Sequence, residues 1–182
     1  GSGASGSSRV FNNEWLTISG KAIGPEIGIG HHLGNLLDEP VLILKSCIGN
    51  RSLSWDLLPP GSPSFEFENS GKTWHYAGYQ ESPLKWEAGT EPEPIGCYAG
   101  AQYDGDVARA KQVLEDLETY YPGATEYEVA GFFFWQGDKD RYDAGHASRY
   151  EQNLVHLIRQ LRADFEAPDA KFVCATLLVR LK

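Results

Sequence analysis

At 182 residues, 41% hydrophobic and 23% charged, the chain has the size of one domain that can bury a core without disulfide staples. A net charge of −9 with no basic stripe excludes nucleic acid and anionic membrane surfaces as natural partners, and no apolar run approaches the roughly 18 residues of a membrane span. Cys47, Cys97 and Cys174 are too scattered for a disulfide framework and form no CxxC pair, so one bridge at most is expected and no metal site from thiols.

Residues 1–9, rich in Gly and Ser, read as a flexible linker or an expression scar, because they carry neither the charged nor the apolar region of a signal peptide. A secretion signal is expected to have been removed or never to have existed, and the absence of methionine means that the chain does not begin at a natural start codon. Residues 10–182 are expected to form one α/β domain. Residues 10–20 have mixed character, with Trp15, Leu16 and Ile18 as packing residues. Gly24-Pro25-Glu26 suits a helix N-terminus, with proline and an acid in the first turn, and Ile29, Leu33, Leu36 and Leu37 then supply one apolar face.

Val41, Leu42, Ile43 and Leu44 predict a short buried strand that leaves through the polar corner of residues 45–52. From residue 51 to about 100 the sequence is loop-like, punctuated by Pro and Gly, with Trp55, Trp74 and Trp86 between them. A segment of that length without structure is uncommon unless functional. Its tryptophans suit either a flat-faced ligand such as a sugar or the anchoring of the loop to its own core.

Asp104 is placed to cap a helix with Val107, Ala110, Leu114, Leu117 and Tyr121 inward, ended by Pro122-Gly123. Phe132 to Trp135 is a continuous run of bulky apolar residues, preceded by Glu126-Tyr127-Glu128-Val129-Ala130, as expected of a strand covered on both faces in a parallel sheet. It runs into Gln136-Gly137-Asp138-Lys139-Asp140-Arg141. A helix with Tyr150, Leu154, Leu157, Leu161 and Phe165 inward and a third apolar run over residues 171–179 complete the alternation of a doubly wound α/β sheet. In such sheets ligands gather beyond the carboxyl ends of the strands, which puts residues 46–52 and 136–140 on one edge. The backbone N–H of Gly49 and the amide of Gln136 are donor types that stabilise a tetrahedral oxyanion; equally, Gly49 can simply make the turn and Gln136 cap loop carbonyls. Asp143-Ala144-Gly145-His146 has the spacing of a carboxylate that orients a basic imidazole, although Asp143 also stands where a helix N-cap is expected. Asp138, Asp140 and Asp143 lack the glycine and terminal glutamate of a calcium loop, and His31-His32, adjacent on a helix, point apart; no metal or other cofactor is expected.

Gly24-Pro25-Glu26-Ile27-Gly28, Ser46-Cys47-Ile48-Gly49-Asn50-Arg51-Ser52-Leu53 and Phe134-Trp135-Gln136-Gly137-Asp138-Lys139-Asp140 together resemble the SGNH hydrolase superfamily, specifically its sialate O-acetylesterase-like carbohydrate esterases. The last motif resembles the family's Trp/His-Gln-Gly-Glu-x-Asp box, with Asp138 where glutamate is commoner. The resemblance implies a flavodoxin-like three-layer α/β/α sandwich with a mostly parallel sheet, carrying a long insertion over about residues 51–100. It also implies a serine esterase that removes acetyl groups from carbohydrates through an acyl-enzyme. Gly49 and Gln136 would complete the oxyanion hole, and Asn50, Arg51, Trp135, Asp138 and Asp140 would meet the substrate. An exported bacterial protein is implied by resemblance alone. The family's Gly-x-Ser and Asp-x-x-His boxes have no counterpart in the expected places: Ser5-Gly6 and Ser19-Gly20 lack the strand-to-helix setting that exposes a nucleophile. The chain is therefore expected to be the central piece of an esterase, to be completed by a second chain, or to be a non-catalytic carbohydrate-binding module on the same fold.

Overall fold

The computed structural model describes residues 15–16 and 24–175. The Gly/Ser segment, Ser19-Gly20 and residues 176–179 of the last apolar run lie outside them. The chain divides into two compact units, one spanning Arg9–Ile48 and the other built from residue 49 onward.

In the first unit, helix α1 (Glu26–Leu36) starts after Pro25, as the Gly-Pro-Glu signal predicts, with Glu26 in its first turn. Lys45 returns to Glu26 as an ion pair. No residue of α1 is buried, and Leu36, Leu37 and Leu44 are exposed. Among the described residues, 41–44 make no ladder with a neighbour, so the predicted strand is not found there. Branched apolar residues favour extended backbone, but a strand exists only where a second edge accepts its N–H groups.

The second unit holds an antiparallel meander and a βαβ unit. Strands β1 (Phe65–Asn69), β2 (Lys72–Tyr76) and β3 (Lys85–Glu87) pair in the order β1-β2-β3, with Phe65 opposite Tyr76 and His75 opposite Trp86. The stretch read as a loop thus contains a sheet. Ser70 and Gly71 both take positive φ (55° and 76°), the two-residue turn whose twist matches a hairpin. Trp55 is buried with Leu58, Ala77 and Ala99, and Trp86 packs against that cluster, so two of the three tryptophans anchor the segment to its own core.

Helix α2 (Ala101–Glu115) begins three residues before Asp104, with Gly100 at its N-cap, and a short α3 (Leu117–Tyr120) follows. Its buried residues are Tyr103 and Val113, while Tyr121 is exposed. Asp104, instead of capping, accepts hydrogen bonds from the hydroxyls of Tyr79 (2.7 Å) and Tyr98 (2.9 Å). Strand β4 (Gly131–Phe134) pairs in parallel with β5 (Lys171–Cys174), Phe134 opposite Cys174, and helix α4 (Ala144–Asp164) is the crossover that parallel pairing requires. Alternation along the strands sends Phe134 and Phe172 into a cluster with Leu53, Tyr103 and Leu157, to which α4 adds Tyr150, Leu154 and Leu161. Phe133 (54% exposed) and Val173 (51%) on the opposite face remain open to solvent. The fold is α/β, with three strands in one sheet and two in the other among the described residues.

Candidate active site

The carboxyl end of β4 leads into a reversal at Gly137, whose φ of 146° is accessible chiefly to glycine. The reversal and the 3₁₀ turn Asp140–Tyr142 return the chain so that Gln136 and Asp140 face one loop, residues 51–56. Asp140 is 1% exposed. Its Oδ2 accepts from the backbone N–H of Leu53 (2.9 Å) and from Gln136 Nε2 (2.6 Å), and its Oδ1 from the N–H of Ser54 (2.9 Å). A carboxylate so enclosed has no open face for a sugar; the structure makes it the anchor of the loop in place of the substrate contact expected of it.

Gln136 Nε2 also donates to the carbonyl of Arg51 (2.8 Å). Two acceptors, one of them charged, fix which end of the amide points inward and engage both of its hydrogens. Its Oε1 is buried with no hydrogen-bond partner among the described residues, as is Arg51 Nε. Tyr150 donates to the Gln136 carbonyl (2.7 Å); burial pushes its phenol up to about 12, so it stays a donor at neutral pH.

On the other side of the loop, Asp56 accepts from the Ser52 N–H (2.8 Å) and pairs with Arg51 Nη1 (2.8 Å). Asn153 Nδ2 donates to Ser54 Oγ (3.1 Å), and Ser54 Oγ donates to the His146 carbonyl (3.3 Å). Asp56 and Asn153 escaped the sequence reading; the clue to Asp56 was an acid four residues beyond Ser52, close enough to fold back on the turn. Gly49 and Asn50 are exposed, no atom lies within 4 Å of where a Gly49 side chain would begin, and Asn50 takes the left-handed φ of 61° that asparagine tolerates. Trp135 is 65% exposed, and Asp138, also exposed, pairs with Arg141 Nε (2.8 Å).

Asp143 and His146 are brought together without forming a dyad. Asp143 caps α4, accepting from the backbone N–H groups of Gly145 (3.0 Å) and His146 (3.2 Å), as the N-cap reading predicts. Its carboxylate also takes the Tyr76 hydroxyl (2.7 Å) and Lys85 Nζ. The His146 ring is buried and meets the Tyr76 ring edge-on at 5.2 Å. Burial pushes its imidazole below the usual histidine range, against the pull of Asp143 and Asp140.

Among the described residues, no group of three His, Cys, Asp or Glu side chains could hold a metal ion, and no helix is long and apolar enough to cross a membrane. The three cysteines are free.

A family model for carbohydrate esterases described as sialic acid-specific acetylesterases matches residues 81–180, a stretch that includes the Gln136–Asp140 corner and α4 but not the Gly49 turn. No curated protein and no solved structure matches the chain. With more than half of its length matched by that model, the chain belongs to the sialic acid-specific acetylesterase family of carbohydrate esterases.

Proposed function

We propose that this chain is a carbohydrate O-acetylesterase domain of the serine-hydrolase kind, and that the turn at Gly49 receives the acyl oxygen of an acetylated sugar. The observation that supports this reading is an exposed glycine, with nothing around its Cβ position, at the head of a turn whose next backbone groups are held by Asp56, Asp140 and Gln136. Preorganised donors are worth most where they need not reorganise as charge develops. A serine hydroxyl adds to the ester carbonyl, its proton passing to a base. The tetrahedral oxyanion accepts a hydrogen bond from the Gly49 N–H, and its collapse breaks the bond to the sugar oxygen, which takes the proton back from the base, leaving an acetyl-enzyme that water hydrolyses. Gln136 joins as a donor when the oxyanion, a stronger acceptor than a neutral carbonyl, draws its Nε2 hydrogen from Arg51. Exposed Trp135, with Asn50, Arg51 and Asp138, offers the sugar an apolar face and polar edges. The fold that accompanies this reading is the three-layer sandwich, with further strands beside β4 and β5.

One observation favours a second reading, a carbohydrate-binding module without turnover: both Gln136 amide hydrogens are already engaged. Hydrolysis of an activated acetyl ester and of an acetylated sugar, with intact-protein mass before and after a fluorophosphonate, separates the two. An adduct with matching turnover is expected. Gly49→Pro, which removes the N–H, should then lower kcat about 10²- to 10³-fold. Gly49→Ala, with open space for its methyl, should stay near wild type. Acetyl-sugar binding with neither adduct nor turnover would establish the module.

A further inference from the structure

Three consecutive backbone N–H groups after Arg51 are met by two buried carboxylates: Ser52 donates to Asp56 (2.8 Å), and Leu53 and Ser54 donate to Asp140 (2.9 Å each). The hydrogen bonds to Asp140 come from neutral donors, those two N–H groups and the Gln136 amide. Through Gln136 the link continues to the Arg51 carbonyl. Asp140 therefore grips the far end of the turn directly and its near end through one intervening amide. We propose that Asp140 is the positioning residue of this corner: without meeting substrate, it fixes the direction of the Gly49 and Asn50 backbone by clamping residues 51–54. The purpose of the clamp rests on the acyl-oxygen reading above, whereas its mechanics do not.

Asp140→Asn keeps the shape but sets an NH₂ group against donors, either the Gln136 amide and the Leu53 N–H together or the Ser54 N–H. NMR order parameters of the Gly49, Asn50 and Arg51 amides should fall from about 0.85 toward 0.6 together with those of Leu53 and Ser54, while Leu157 and Val113 in the helices keep theirs. Loss at every amide would mean a merely structural role, and change confined to Leu53 and Ser54 would mean that the clamp does not reach the corner; either overturns the proposal. Should the variant not fold, hydrogen-bond scalar couplings in the wild-type protein from the Leu53 and Ser54 amide nitrogens to Asp140 Cγ decide: their presence supports the clamp and their absence removes it. In the acetyl-ester assay, Asp140→Asn should lower kcat about tenfold or more with KM unchanged, as loss of orientation does; an equal rise in KM overturns the positioning role. Wild-type protein without turnover would sink the esterase reading and leave the order parameters to judge the clamp.

Discussion

Burial alone would raise the pKa of Asp143, but hydrogen bonds from Lys85, Tyr76 and the His146 amide outweigh it and hold the carboxyl at about 2. A carboxylate depressed in the fold contributes stability above its ordinary pKa of 3.8, and that contribution is lost as pH falls toward about 2. His146 works in another window. Its folded pKa lies below 6.5, so the unfolded chain takes up the proton first, and stability declines as pH falls through 6.5 and onward until the folded ring also titrates. Urea midpoints across a pH series should show both slopes. His146→Gln is expected to remove the one starting near 6.5, and Asp143→Asn the one below 3.8. Asparagine still caps a helix, so the second variant should cost only about 1 kcal/mol at neutral pH, given solvent screening of a carboxylate that is partly exposed. The Asp-x-x-His spacing was legible in the sequence, as was the cap. What the two side chains meet was not, because Tyr76 and Lys85 stand 67 and 58 residues before Asp143.

Among the elements, two helical glycines test the local packing in opposite directions. A methyl group at Gly145, in the first turn of α4, would lie 2.3 Å from the Tyr76 ring. Gly145→Ala should therefore destabilise by about 1–3 kcal/mol, read as a lower Tm, although alanine is the better helix former. Gly28 in α1 has nothing within 4 Å of its Cβ position. Gly28→Ala should raise α1 helicity, with up to about 1 kcal/mol gained, read by circular dichroism. α2 and α4 were visible from their apolar periodicity, with α2 displaced at its start because Gly100 and not Asp104 occupies the cap. The hairpin was overlooked although Phe65, Phe67, Trp74 and Tyr76 alternate with polar residues around Ser70-Gly71; the prolines and glycines flanking it outweighed that period-2 signal.

At the scale of the whole second unit, residues 53–58 join its two clusters: Leu53 packs with Tyr103 and Leu157, while Trp55 and Leu58 pack with Ala77 and Ala99. The candidate turn is therefore bolted to both cores. Leu53→Ala should cost about 3 kcal/mol, the range for a fully buried leucine. Tryptophan fluorescence and far-UV circular dichroism should still report one coincident transition in urea. Separate midpoints would mean that the clusters unfold independently.

The sequence by itself determined the α/β class, the helix–strand order around β4, α4 and β5, and the family, because periodicity, caps and a short polar box are local properties of the chain. Only the tertiary structure decided that Asp140 is enclosed, that Gln136 spends its amide on Arg51 and Asp140, and that Asp56 closes the turn from the other side. It also decided that residues 41–44 carry no ladder with any other described residue. Burial, and the partner of each polar group, depend on which distant segments arrive beside it, and Leu53 and Asp140 are 87 residues apart.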